Sequence, residues 1–149
     1  MSTLVFPARL DWNDEDQVFL VTFPDVPEAI TTGPTREAAL ANAEDAIEEA
    51  VAAYINLERD LPVPSPFEPG ERLHGVVTGP LMAAKAALYE AWRRSGLSKV
   101  AFAEKLSVAE NEVRRMLNPR HATKIERLDE ALRALGRRLV VSDEDMRAA

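Results

Sequence analysis

The chain has 149 residues and 16.5 kDa, of which 46% are hydrophobic and 29% charged; that suits one ordinary domain or two very small ones and is too polar for a membrane resident. It contains no cysteine and only two histidines, His74 and His121, which excludes disulfides, thiolate zinc sites, cysteine nucleophiles and an all-histidine metal site. The net charge of −7 conceals an asymmetry: residues 1–75 carry 15 acids and 4 bases, and residues 76–149 carry 10 acids and 14 bases, so a half suited to a cationic partner precedes a half suited to a polyanion.

Leu4, Phe6, Ala8, Leu10 and Trp12 recur at period two and predict a strand with these side chains on one face. The polar residues 13–16 make a turn, and residues 17–23, rich in Val, Phe and Thr, complete a β-hairpin that Pro24 and Pro27 end. Residues 29–32 add a short third strand before Gly33 and Pro34 break the chain. At Thr35 the period becomes helical. Thr35 is the N-cap, Glu37 sits near the positive end of the dipole, and Leu40, Ala43, Ile47, Ala50, Val51, Tyr54 and Leu57 form a stripe opposite Glu44, Asp45, Glu48 and Glu49. Pro62, Pro64, Pro66 and Pro69 then stiffen an extended connection to a last strand over 72–78, making the first module, residues 1–78, β-β-β-α-β.

After Thr78, Gly79 and Pro80 the pattern is almost wholly helical, which defines a second module over 79–149. A helix over 81–94 ends at Gly96, and Ser98 caps a short helix through Leu106. Ser107 caps the next, with Glu110 at the capping-box spacing and Asn118 and Pro119 at its end. Thr123 and Glu126 repeat that spacing before Leu128, Leu132 and Leu135, Gly136 ends the fourth helix, and residues 137–141 read as a terminal strand. The fold class is therefore α+β, a small sheet domain followed by a helical one.

Residues 99–117 have the layout of a helix-turn-helix: a small Ala103 where two helices touch, a tight turn at Ser107, and Val113, Met116 and Leu117 on the inner face of the second helix. Glu110, Asn111, Arg114 and Arg115 then point outward. Arginine can grip guanine bidentately and asparagine adenine, while Lys99, Arg120 and Lys124 suit phosphates, which position a protein without reading sequence. A plain helical hairpin with solvated arginines would share much of this pattern. In the first module Asp14, Glu15 and Asp16 lie in a turn and the helix acids face away from the sheet, so they do not converge as two-metal hydrolysis requires. His74 has no neighbouring nucleophile, and no catalytic, metal or cofactor site is expected. Asp25 is a turn residue that could also meet a cationic partner. With no apolar run near the roughly 20 residues of a membrane span, and no basic-then-apolar start, the chain reads as cytoplasmic.

The stretch FPDVPEAITTGPTREAALANAEDAIEEAVAAYI, residues 23–55, followed by PVPSP at 62–66, resembles the N-terminal domain of HicB-type antitoxins. The helix from Leu81, the LSKVAFAEKLSV segment and RMLNPRHATKIERLDEALRALGRRL, residues 115–139, resemble the helix-turn-helix domain attached to many HicB proteins. The resemblance implies a degenerate ribonuclease-H-like sheet domain that sequesters a small basic HicA-type toxin ribonuclease, with Asp25 and Glu28 as toxin-binding candidates. It also implies a helix-turn-helix domain that represses the shared operon by binding operator DNA as a homodimer or higher oligomer. Such a protein is not an enzyme, and no acid stands within residues 4–10, where an active ribonuclease H would need one. Two other readings compete: a one-component transcription regulator whose N-terminal module senses a small ligand, and a metal-dependent nuclease.

Overall fold

The computed structural model describes residues 4–70 and 72–146. Its elements run β1 (Val5–Asn13), β2 (Val18–Thr22), β3 (Ile30–Gly33), α1 (Arg36–Asn56), β4 (Leu73–Val77), α2 (Pro80–Ser95), α3 (Lys99–Leu106), α4 (Glu110–Leu117) and α5 (Ile125–Ala134), a mixed α+β chain. It divides into two compact units, one made of the described part of residues 1–51, 62–79 and 143–149, the other of residues 52–61 and 80–142.

In the first unit four antiparallel strands form one sheet in the order β3-β2-β1-β4. The register sets Leu10 opposite Val21 and Phe6 opposite Val76, and the period-two residues Phe6, Ala8 and Leu10 lie buried together with Val21 and Val76. Helix α1 adds Ala39, Ala43, Ile47 and Val51 to this core, none with measurable exposure. It begins where the sequence places it: the Ala38 amide donates to Thr35 Oγ1 at 3.1 Å. The hairpin turn is held by Asn13, whose Oδ1 accepts from the amides of Glu15 and Asp16 at 3.0 and 3.2 Å, and Gln17 closes it at a φ of 55°.

Three expectations for this unit are corrected. Trp12, at the end of β1, is 47% exposed rather than buried; it meets Phe19 edge-on at 4.9 Å and donates its indole N–H to Asp14, an arrangement that keeps its polar edge at water. Leu57 lies just past the end of α1 and is exposed. Glu48, expected to face solvent, accepts the Gly79 amide at 2.8 Å.

In the second unit Ser98 caps α3 as expected, accepting from the Ala101 amide at 3.0 Å. Gly96 and Gly136, after α2 and α5, take φ values of 70° and 75°, the left-handed region a helix end favours. Ser107 does not cap the next helix. It is the left-handed closing residue of α3, at φ 55° and ψ 43°, and α4 starts after Ala109 with no side-chain cap; Ser107 stands two residues too early to reach its first amides. Thr123 does not cap α5 either, which starts after Lys124; its hydroxyl accepts instead from Lys85 Nζ at 2.8 Å. Residues 137–141 form no strand: they are not among the four strands of the sheet, the Leu139 amide donates to Asp129 Oδ1 at 2.8 Å, and Val140 and Val141 are exposed.

Residues 52–61, which the sequence groups with the first module, cluster with the helices. The Tyr89 hydroxyl donates to the Arg59 carbonyl at 2.6 Å, and Asp60 and Glu58 pair with Arg93 and Lys99 at 2.8 and 2.9 Å.

One close approach fixes where α1 meets the sheet unit. A Cβ on Gly33 would lie 2.3 Å from the Ala39 amide nitrogen, whereas one on Gly70 would meet nothing within 4 Å. Gly33→Ala is expected to lower unfolding stability in urea by about 3 kcal/mol, at the upper end for overpacking against immovable backbone; Gly70→Ala should stay within about 0.5 kcal/mol of the parent.

Candidate functional site

The outward face of α4 and the start of α3 gather most of the polyanion-binding candidates. Val113, Met116 and Leu117 are buried, which leaves Asn111, Arg114 and Arg115 exposed on the other side of the same short helix. None of the three cations on this face stands alone. Arg114 pairs with Glu110 one turn earlier at 2.7 Å, which gives Glu110 a partner other than a helix cap, and Arg115 lies 3.7 Å from Glu112. Lys99, at the first position of α3, pairs with Glu58 at 2.9 Å and sits 5.7 Å from the Trp92 ring centroid. Arg120 and Lys124 are exposed in the connection between α4 and α5, where the Arg120 amide donates to Asn118 Oδ1 at 2.9 Å.

Sequence reasoning missed Glu58, because only tertiary structure brings residues 52–61 to α3. Its carboxyl is held below the usual range, first by the hydrogen bond from Lys99 and then by that residue's charge, with Arg93 and Arg114 adding to it. A polyanion approaching α3 would have to displace this internal carboxylate from Lys99.

In the sheet unit the two toxin-binding candidates differ. Glu28 is exposed. Asp25 has both oxygens committed: Oδ2 accepts the Ser65 amide at 2.8 Å and Oδ1 the Ser65 hydroxyl at 2.6 Å. The two sequence motifs around Asp25 and in the proline-rich segment are thus the halves of one clamp, since a charge-accepting pair of bonds anchors a segment with few amides of its own. Farther along that segment Phe67 lies against Gly75, where a Cβ would be 3.0 Å from the ring. On the same strand His74 Nε2 is 3.0 Å from an Arg36 guanidinium nitrogen, and Arg36 lies over the Phe19 ring. Among the described residues no three His, Asp or Glu side chains gather as a metal ion would require. Asp25→Ala should cost about 1 to 2 kcal/mol in denaturant unfolding and raise protease cleavage between residues 62 and 70, the signature of a clamp whose loss frees the segment.

A second residue that sequence reasoning missed is Lys85 of α2, which has no solvent exposure. Its Nζ donates to the carbonyls of Arg115 and Asn118 at 2.9 and 2.8 Å and to Thr123 Oγ1. The signal was present: Lys85 falls on the stripe formed by the buried residues Met82, Leu88, Tyr89 and Trp92, where a cation must find partners. Burial holds its ammonium down to about 8, from an ordinary 10.5. Because the folded value lies below the unfolded one, the unfolded chain binds more protons between these limits. Lys85 should therefore cost stability below about pH 8 and release that cost as the pH rises toward 10.5, by at most about 3 kcal/mol. Unfolding curves for the parent and Lys85→Met across this range check the sign: the difference between them should change in favour of the parent as pH rises.

Residues 5–87 match the family described as HicB-like antitoxin of bacterial toxin-antitoxin systems. The chain is 35% identical over 140 residues to antitoxin HicB 1 of Photorhabdus laumondii, covering 93% of this chain and 86% of that one, and 39% identical over 134 residues to antitoxin HicB 2 of the same organism, covering 90% and 92%. It is 32% identical over 121 residues to antitoxin HicB of Escherichia coli K12, covering 81% and 86%. The crystal structure of the N-terminal domain of Burkholderia pseudomallei antitoxin HicB aligns with a TM-score of 0.43 at 25% identity, over 50% of this chain and 98% of that one. Among the described residues no helix is long and apolar enough to cross a membrane.

Proposed function

The chain belongs to the HicB-like antitoxin family, whose members are antitoxins and not enzymes, and from that premise we propose that it neutralises a HicA-type toxin ribonuclease by direct binding and represses its own operon. In this reading residues 1–78 form the ribonuclease-H-like toxin-binding domain, and residues 79–149 form a helix-turn-helix domain that binds operator DNA as a homodimer or higher oligomer. The division of charge supports it. An acidic partner surface speeds encounter with a cationic toxin, and a basic helical module suits a phosphate backbone.

The observation that carries the DNA-binding half is the split face of α4. Three apolar residues seat the helix on its neighbours, and Asn111, Arg114 and Arg115 project from the opposite side. Helix α3 comes before it, with the buried Ala103 and the left-handed Ser107 at the turn, the small contact residue and tight corner that such a motif needs. A recognition helix of eight residues spans too few base pairs to be selective alone, so two copies on two half-sites are required. On the toxin side, Glu28 is the more accessible of the two candidates and Asp25 acts through the segment it clamps.

The full chain expressed with the product of the neighbouring reading frame should co-purify with it and abolish its ribonuclease activity, while cleaving no RNA itself in magnesium or manganese. Binding of DNA upstream of the gene should respond in two ways. Arg114→Ala should relax preference at one base position at a cost of about 1 to 3 kcal/mol, and Lys99→Ala should weaken all sequences alike and lower the salt slope by about one. Glu58→Gln, which frees Lys99, should shift affinity in the opposite direction to Lys99→Ala. Unchanged affinity in all three folded variants would remove α3 and α4 from the DNA interface.

A further inference from the structure

We propose that Lys85 is a positioning residue for DNA recognition, setting the pose of α4 from behind without touching DNA; the inference rests on reading α4 as the recognition helix. The last carbonyls of a helix have no partner within it. At the end of α4 two carbonyls matter, Arg115 O, inside the last turn, and Asn118 O, just beyond it, and Lys85 Nζ donates to both. Its third bond, to Thr123 Oγ1, reaches the residue before the cap of α5. One ammonium on α2 thus ties the end of α4, its connection and the approach to α5 to a single point. The helix dipole favours a cation at that end.

The same two carbonyls also accept from the backbone, Arg115 O from the Asn118 amide at 3.2 Å and Asn118 O from the His121 amide at 3.1 Å. The lysine therefore completes a turn that the chain has begun. Charged groups on the surrounding elements do not compete for it. Glu112, Arg114 and Arg115 on α4, Arg120, His121 and Lys124 in the connection, Glu126 and Arg127 on α5 and Glu90 on α2 are all at least partly exposed, and burial alone accounts for the lowered basicity of Lys85. With no exposed surface, Lys85 cannot neutralise a phosphate. Its influence passes through Arg114 and Arg115, whose reach to base edges depends on the placement of α4 to within about half an ångström.

That separation defines the test on the full-length protein. Burial penalises the Lys85 ammonium with no carboxylate to offset it, and methionine has a similar length without that charge, so Lys85→Met should keep or gain thermal stability near pH 7. Its affinity for a duplex from upstream of the gene should fall about tenfold, the scale of one weakened bidentate base contact. Affinity for a scrambled duplex and the salt slope should not change, because no phosphate contact is lost. Thr123→Val, which removes only the third bond, should show the same pattern more weakly and serves if Lys85→Met does not fold. Unchanged discrimination between the two duplexes in the folded variant, or a salt slope lower by about one, would overturn the proposal. If the parent binds neither duplex, the DNA-binding reading fails. Hydrogen exchange then decides the hold on α4: the Asn118 and His121 amides should exchange faster in the variant, and equal rates would dismiss Lys85 as a positioning residue.

Discussion

Helix α1 is buried along one side for most of its length. The buried Ala39, Ala43, Ile47 and Val51 belong to the sheet unit, and the buried Ala52 and Ile55 to the segment grouped with α2 to α5. A four-stranded antiparallel sheet of this size hides one face only if something apolar covers it, and the small side chains of α1 allow an approach close enough to require Gly33 opposite Ala39. The second group of helices depends on the same element, since the residues after Val51 bring Glu58, Arg59 and Asp60 to α2 and α3. The alanine-rich composition of α1 thus serves the close approach to the sheet, and the acids on its remaining surface keep it at water.

The polar side chains singled out for function are mostly occupied within the chain. Asp25 holds Ser65, Lys99 holds Glu58 and Arg114 holds Glu110. These pairs are exposed or half-buried, and such pairs contribute little stability; their consequence is a surface whose charges are already oriented. For a protein proposed to engage both a cationic toxin and DNA, internal partners of this kind limit indiscriminate binding, because an incoming group must exchange for one already present. Lys85 belongs to a different class. It is wholly buried, and its partners are a hydroxyl and two backbone carbonyls that also accept from amides of their own turn.

Periodicity carried most of the fold. Alternation in β1, the stripe of α1 and the inward residues of α4 were legible because each reflects a face that must leave water. The errors cluster where one local pattern has two physical uses. Ser107 and Thr123 fit a capping box by spacing, yet one closes the preceding helix in the left-handed region and the other accepts from a distant lysine. Residues 137–141 have strand composition but pair with no strand, and β structure needs a paired neighbour as well as a propensity.

By itself the sequence determined the order of elements, the buried faces, the separation of acid from base and the family, since all of these are written in composition and in spacing along the chain. Only the tertiary structure decided which candidates are occupied: that Asp25 meets a serine 40 positions away, that the tail of α1 supplies Glu58 to Lys99, and that a lysine on an apolar stripe closes the end of α4. Those pairings join residues far apart in sequence, and hydrogen-bond partners at such range are set by how the elements pack rather than by any period a single segment can carry.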